Sequence, residues 1–186
     1  MKSVIETPYW WWDSAISPEM CRAIIAQGNK LELSTAGIKD DKTVNPKYRT
    51  TEVGFFEEGP IHAITSHYIH KANSFAEWNF DLASTELVQF GKYMPGAFYK
   101  EHCDSDVLNF ANRKLSISVQ LSAPDDYSGG DLRLKGWDRT PCIMPEELRN
   151  QGTVIVFPSM LLHEVTKVRA GIRYSLVQWH SSSESA

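Results

Sequence analysis

The 186-residue sequence predicts one mainly β domain of the α+β class: a jelly roll of two facing sheets, with two or so supporting helices in its N-terminal half. Two observations carry this expectation. From about Leu87 onward the apolar residues alternate with period two through seven or eight short runs, separated by turn signals such as Pro95-Gly96 and Ser128-Gly129-Gly130. Upstream of that point the apolar spacing is helical instead. The expected division is helical support over about 1–84, a jelly-roll core over about 85–181 and a short tail at 182–186.

The first helix is announced by Ser17-Pro18, an N-cap followed by proline in the first turn, and runs through Met20, Ile24 and Ile25 to end near Gly28. The polar stretch TAGIKDDKTVNPKYRTTEV reads as a loop, long enough over residues 35–51 to serve as a lid, and the turn region 106–112 is a second candidate. A second helix starts after Gly59-Pro60, with Ile61, Ile64, Tyr68, Ala72, Phe75 and Trp78 on one face. Strands follow in VQFGKY, FYKEHC, KLSISVQLS, DLRLKG, TVIVFP, LHEVTKV and IRYSLVQWH.

Composition narrows the function classes. Cys21, Cys103 and Cys142 are odd in number and far apart, which argues against a disulfide framework or a thiolate zinc site. No run is apolar enough to span a bilayer, and MKSVIETPYWWWD lacks the pattern of a secretory leader, so a soluble cytoplasmic protein is expected. A formal net charge of -4 with dispersed cations offers no basic track for nucleic acid.

The chemistry concentrates in HCDSD. His102 and Asp104, two apart in an expected strand, leave the same sheet face, and His163 follows in MLLHEV. Two imidazoles and a carboxylate on one side of a metal leave the other side open, the pattern of facial-triad iron sites. An H-x-D by itself arises often by chance, and the downstream residues add the weight. Arg173 in GIRYS, with Ser175 on the same strand face, supplies a fork suited to a carboxylate.

With these residues in view, the chain resembles the prolyl-4-hydroxylase type branch of the 2-oxoglutarate and Fe(II)-dependent dioxygenases. The matching stretches are YMPGAFYKEHCDSD, RKLSISVQLSAPDDYSGGDLRL and GTVIVFPSMLLHEVTKVRAGIRYSLVQWH, spanning about half the chain. The resemblance implies a double-stranded β-helix (cupin-like) core, iron on His102, Asp104 and His163, and the distal carboxylate of 2-oxoglutarate on Arg173. It also places Tyr93, Ser175 and Trp179 around the co-substrate, and puts Gln120 where the family often has a tyrosine. Arg49 and Tyr99 become substrate-side candidates. The implied reaction uses Fe(II), 2-oxoglutarate and dioxygen, admits ascorbate as reductant, and hydroxylates a prolyl residue of a peptide or protein with release of succinate and carbon dioxide. A small-molecule hydroxylase on the same site is the alternative, and a catalytically silent jelly-roll binding module is the alternative of another class. Nucleic-acid demethylation is disfavoured, because RYSLVQWHSS lacks the further arginine of that branch.

The remaining conspicuous residues receive structural readings. His62, His67 and His70 mark a solvated helix face, His180 is expected to be exposed, and Cys103 should point away from its neighbours' face. The Trp10-Trp11-Trp12 run is expected to pack the N-terminal segment on the sheet.

Overall fold

Local signals set the helix boundaries in the computed structural model, which describes residues 7–35, 46–105 and 112–183. Helix α1 covers Pro18–Gly28, and the Ser17 side chain accepts the Met20 N–H as its N-cap. Helix α2 covers Pro60–Phe75. It stops there because Glu77 and Asn79 take positive φ, 55° and 53°. Trp78, expected on the helix face, therefore lies beyond its end, buried with its indole N–H donated to the Thr7 carbonyl at 2.8 Å.

The strands are β1 (Trp10–Trp12), β2 (Ser34–Thr35), β3 (Glu52–Phe56), β4 (Ser84–Thr85), β5 (Val88–Tyr93), β6 (Tyr99–His102), β7 (Arg113–Gln120), β8 (Tyr127–Gly129), β9 (Leu132–Leu134), β10 (Val154–Pro158), β11 (His163–Val165), β12 (Val168–Gly171) and β13 (Arg173–Ser181). The large sheet runs β1-β10-β7-β13-β5-β3-β2, with β4 added beside β13. Opposite it lie a small sheet, β6-β11-β9, and the pair β12-β8. Every pairing is antiparallel.

Alternation along the central strands sorts side chains into two compartments. Leu115, Ile117 and Val119 of β7, Val154 and Val156 of β10, and Leu176 of β13 join the core that includes Ile24 of α1 and Ile69 and Ala72 of α2. Ile155 and Phe157 of β10 face the other way, with Leu134 and Leu161, into the space between the sheets. The helices therefore cover the outer face of the large sheet, and the inner face is left for the site.

Three expectations change at this level. Glu52 and Val53, read as the end of a loop, open β3, because Val53 is buried and the strand completes the sheet beside β5. The Trp10–Trp12 run adds an edge strand against β10, so backbone pairing as well as ring packing holds it. His180 is 1% exposed rather than solvated, since the outer face of β13 is roofed by α2: its Nε2 lies 3.3 Å from Ser66 Oγ and its ring 5.4 Å from that of His70. Of the two lid candidates, residues 36–45 and 106–111 lie outside the described residues.

Burial, with His70 and His62 nearby, holds the His180 imidazole down to about 4, against an ordinary value of 6.5. The unfolded chain thus binds this proton first, and stability should fall as pH drops from 6.5 towards 4. Urea midpoints at pH 7 and pH 5 should differ measurably in the parent, and the difference should shrink in His180→Gln.

Candidate metal centre

The end of β6 and the start of β11 are paired, and that register sets His102 directly opposite His163. Their Nδ1 atoms lie 2.8 Å and 2.9 Å from the backbone carbonyls of Lys100 and Leu161. A carbonyl can only accept, so each Nδ1 carries a proton and each Nε2 is the nitrogen turned towards the centre of the cluster. Asp104 stands past the end of β6, in a bend rather than in the expected strand. Two backbone bonds fix the bend: Asp104 N–H and Ser105 N–H both donate to the Ser159 carbonyl, at 2.9 Å and 3.0 Å.

The carboxylate then meets both imidazoles, with Oδ1 3.5 Å from His102 Nε2 and Oδ2 3.4 Å from His163 Nε2. One donor atom from each of the three residues lies within 4.8 Å of the others, a spacing that suits a shared cation. Ser116 Oγ donates to Asp104 Oδ2 at 2.7 Å and lies 2.9 Å from Ser159 Oγ. Burial alone would raise the Asp104 carboxyl, but His163 and His102 hold it well below the usual carboxylate range. Burial and the neighbouring His163 lower His102, whereas in His163 the pull of Asp104 outweighs burial and raises it. The donor set, two imidazole nitrogens and one ionised carboxylate, fits a divalent transition metal with open positions.

Around these atoms lies a cavity of about 280 Å³. Arg173, the first residue of β13, lines it and is 3% exposed. Its Nη1 donates to Ser175 Oγ at 3.3 Å and its guanidinium lies 5.1 Å from the Tyr93 ring centre. No carboxylate pairs with it among the described residues. An arginine so buried is costly without an anionic partner, so its setting is complete only with an anion in the cavity. Gly130, with φ of +66°, makes room for it: a Cβ there would come within 3.1 Å of Arg173 Cδ.

Tyr93, Ser175 and Trp179 also line this cavity, as do Arg49 and Tyr99. The Trp179 indole N–H is buried without an acceptor among the described residues. Tyr99 stacks on His102, with ring centres 3.5 Å apart, and the Arg49 guanidinium lies 4.3 Å from the centre of the Tyr99 ring. Burial pushes the Tyr99 phenol up, so it stays a neutral donor. Gln120, set by the resemblance where the family often has a tyrosine, is not among the residues that line this cavity. Its amide N–H groups go to the Ser122 carbonyl at 3.2 Å and to the Tyr127 hydroxyl at 3.0 Å, on the wall of a neighbouring cavity. The Cys103 thiol donates to the Met160 carbonyl.

Sequence reasoning missed Ser116, Ser159 and the Arg113–Glu86 pair beneath Trp179, where the guanidinium sits 4.1 Å from the indole. A signal existed for Ser116. In the otherwise apolar KLSISVQLS, Ser116, Ser118 and Gln120 repeat with period two, marking an inner face that lines a cavity rather than packs a core.

Comparison with known proteins agrees with this geometry. Residues 88–181 match the family model of the 2OG-Fe(II) oxygenase superfamily, and the chain belongs to that superfamily. Membership implies Fe(II), 2-oxoglutarate and dioxygen as the reacting set. A PKHD-type hydroxylase of Picosynechococcus sp. is 35% identical over 94 residues, which is 50% of this chain and 41% of the relative. This chain thus matches less than half the length of that relative. Among solved structures, a prolyl-4-hydroxylase from Pseudomonas putida superposes with a TM-score of 0.74 at 21% identity, covering 96% of this chain and 95% of the other. A prolyl hydroxylase from Trichoplax adhaerens, in complex with a hypoxia inducible factor peptide fragment, reaches 0.70 at 13% identity, covering 95% and 84%. At those identities the likeness establishes the jelly-roll fold.

The Ser116 hydroxyl orients the Asp104 carboxylate, and loss of such an outer contact typically weakens metal binding about 10- to 100-fold. Ser116→Ala should show a drop of that order in anaerobic competition between the protein and a chromogenic chelator for Fe(II), together with a lower thermal midpoint of the metal-free protein, because the buried carboxylate loses a donor.

Proposed function

We propose that this chain hydroxylates a prolyl residue of a peptide or protein, using Fe(II) and 2-oxoglutarate and releasing succinate and carbon dioxide. One observation supports the reading above the rest: a buried arginine without a carboxylate partner lines the same small cavity as a His-Asp-His cluster. A cation at the cluster and a dicarboxylate spanning to Arg173 would neutralise both ends together.

In this reading His102, Asp104 and His163 hold the metal, whose chemistry with 2-oxoglutarate and dioxygen supplies the oxidation of a substrate C–H bond. Arg173 fixes the distal carboxylate, with Ser175 orienting the guanidinium and Tyr93 offering its hydroxyl, which has no partner among the described residues. Trp179 lines the cavity together with Asp104, and its indole N–H has no acceptor among the described residues. Gln120 contributes indirectly, by holding Tyr127 behind Arg173. Tyr99 keeps the His102 ring in place by stacking and excludes water from that side.

Arg49 favours a peptide. It is 7% exposed, its Nε lacks a partner, and no carboxylate pairs with it among the described residues. A guanidinium in that state, on the cavity wall with Tyr48 and Phe55, suits the carbonyl oxygen of an extended chain. Ascorbate would serve as the external reductant, and the acidic balance favours a protein over a nucleic-acid partner. No helix among the described residues is long and apolar enough to cross a membrane, and we place the protein in the cytoplasm.

Succinate formation by anaerobically iron-loaded protein on admission of air tests the reading. His163→Ala should abolish turnover, and Arg173→Ala should raise the KM for 2-oxoglutarate by about a hundredfold, as expected for losing a charge-assisted fork. Stimulation by proline-containing peptides, reduced in Arg49→Ala, would favour the prolyl substrate; turnover that no peptide stimulates would favour a small molecule. No succinate from the iron-loaded parent would overturn the proposal.

A further inference from the structure

A shallower groove of about 500 Å³ adjoins the metal cavity, and Phe55 and Glu86 line both. Glu58, His62, Thr85 and Leu87 complete it. The groove lies where the chain leaves β3 for α2 and passes from β4 into β5. Strand register accounts for the continuity. Phe55 pairs with Gln89 and both face the metal cavity, while the next pair, Phe56 and Val88, turns into the helix-side core.

Three features mark what this surface fits. Gln89 stands at the junction, 6% exposed, and its side-chain amide makes no hydrogen bond among the described residues. A primary amide offers a donor and an acceptor together, the complement of a peptide unit. Beyond it, Phe55 and Leu87 are 48% and 42% exposed, two large apolar groups left half in water on one groove. The charges complete the pattern: Glu86 is paired with Arg113 and Glu52 with Lys92, whereas Glu57 and Glu58 have no cationic partner among the described residues. His62 is fixed in the wall, with Nε2 2.5 Å from Thr85 Oγ1.

We infer that this groove selects the substrate segment on one side of the reacting residue. An apolar side chain packs on Phe55 and Leu87, and a lysine or arginine two positions further out, on the same side of an extended chain, meets Glu58. Gln89 pairs with a backbone amide between that contact and the metal cluster. The substrate class is a peptide or protein segment with an apolar-x-basic pattern at a set distance from the hydroxylated residue. That the segment is hydroxylated at proline rests on the functional reading above; its recognition by the groove does not.

Fluorescence anisotropy of labelled peptides on the full chain, held under argon with Fe(II) and 2-oxoglutarate, tests the groove. Each peptide carries one proline in a glycine-serine background, and a Leu-Ser-Lys triplet is moved outward from it one residue at a time on either side. One register, on one side only, should bind about tenfold tighter than the peptide without the triplet, from one buried aliphatic group and one ion pair. Glu58→Lys should make the Leu-Ser-Glu peptide the tighter ligand by about fivefold, and Leu87→Ser should lose the gain from leucine. Neither variant should alter succinate formation in the absence of peptide. Equal binding in every register, no binding by any peptide, or a preference that survives both substitutions overturns the groove. Admission of air separates the two claims by the mass of the peptide. Register-selective binding without gain of oxygen leaves the groove standing and overturns the prolyl reading, and hydroxylation with equal kcat/KM in all registers does the reverse.

Discussion

The buried carboxylate of Asp104 is the constraint around which this molecule is arranged. Removing an ionised group from water costs several kcal/mol, and only close partners offset it. Here the partners come from three separated parts of the chain: His102 at the end of β6, Ser116 in β7, and Ser159 with His163 around the β10–β11 link. Ser159 ties them together, since its carbonyl takes two N–H groups from the Asp104 bend while its hydroxyl meets that of Ser116. The site is therefore built as one polar network, and a change at one member is felt by the others.

Such a network is tolerable because the sheet keeps stability and chemistry on opposite faces. Leu115, Ile117 and Val119 bury one face of β7 against the helices, while Ser116, Ser118 and Gln120 occupy the other. Truncating one of the buried aliphatic groups to alanine costs about 2–5 kcal/mol, so the outer face dominates the folding energetics. The inner face can then remain small and polar. The same partition runs through β13, where Leu176 joins the helix-side core and Arg173, Ser175 and Trp179 line the metal cavity.

Arg173 links the two inner spaces. Its guanidinium lies beside Tyr93 on one side and reaches the chamber of Gln120 and Tyr127 on the other, with Gly130 leaving the gap it occupies. Neither space supplies a carboxylate for it among the described residues. That imbalance separates a binding residue from a structural ion pair such as Arg113–Glu86, in which the charges are already matched.

The sequence by itself determined the jelly roll and the cluster of chemistry-bearing residues. Period-two alternation from β5 to β13 follows directly from the pleat, and His102, Asp104, His163 and Arg173 stood out by residue type and spacing. What it left open was long-range. Glu52 and Val53 look polar and loop-like until β5 offers them a partner, and His180 looks terminal until α2 covers it. The bend that carries Asp104 off the strand is held by the carbonyl of Ser159, and the occupation of the Gln120 amide by Tyr127 depends on where a later turn returns. Periodicity records which face of a local element is apolar; only the tertiary structure decides which distant group stands opposite, because hydrogen bonds and charge pairing depend on positions that local spacing does not encode.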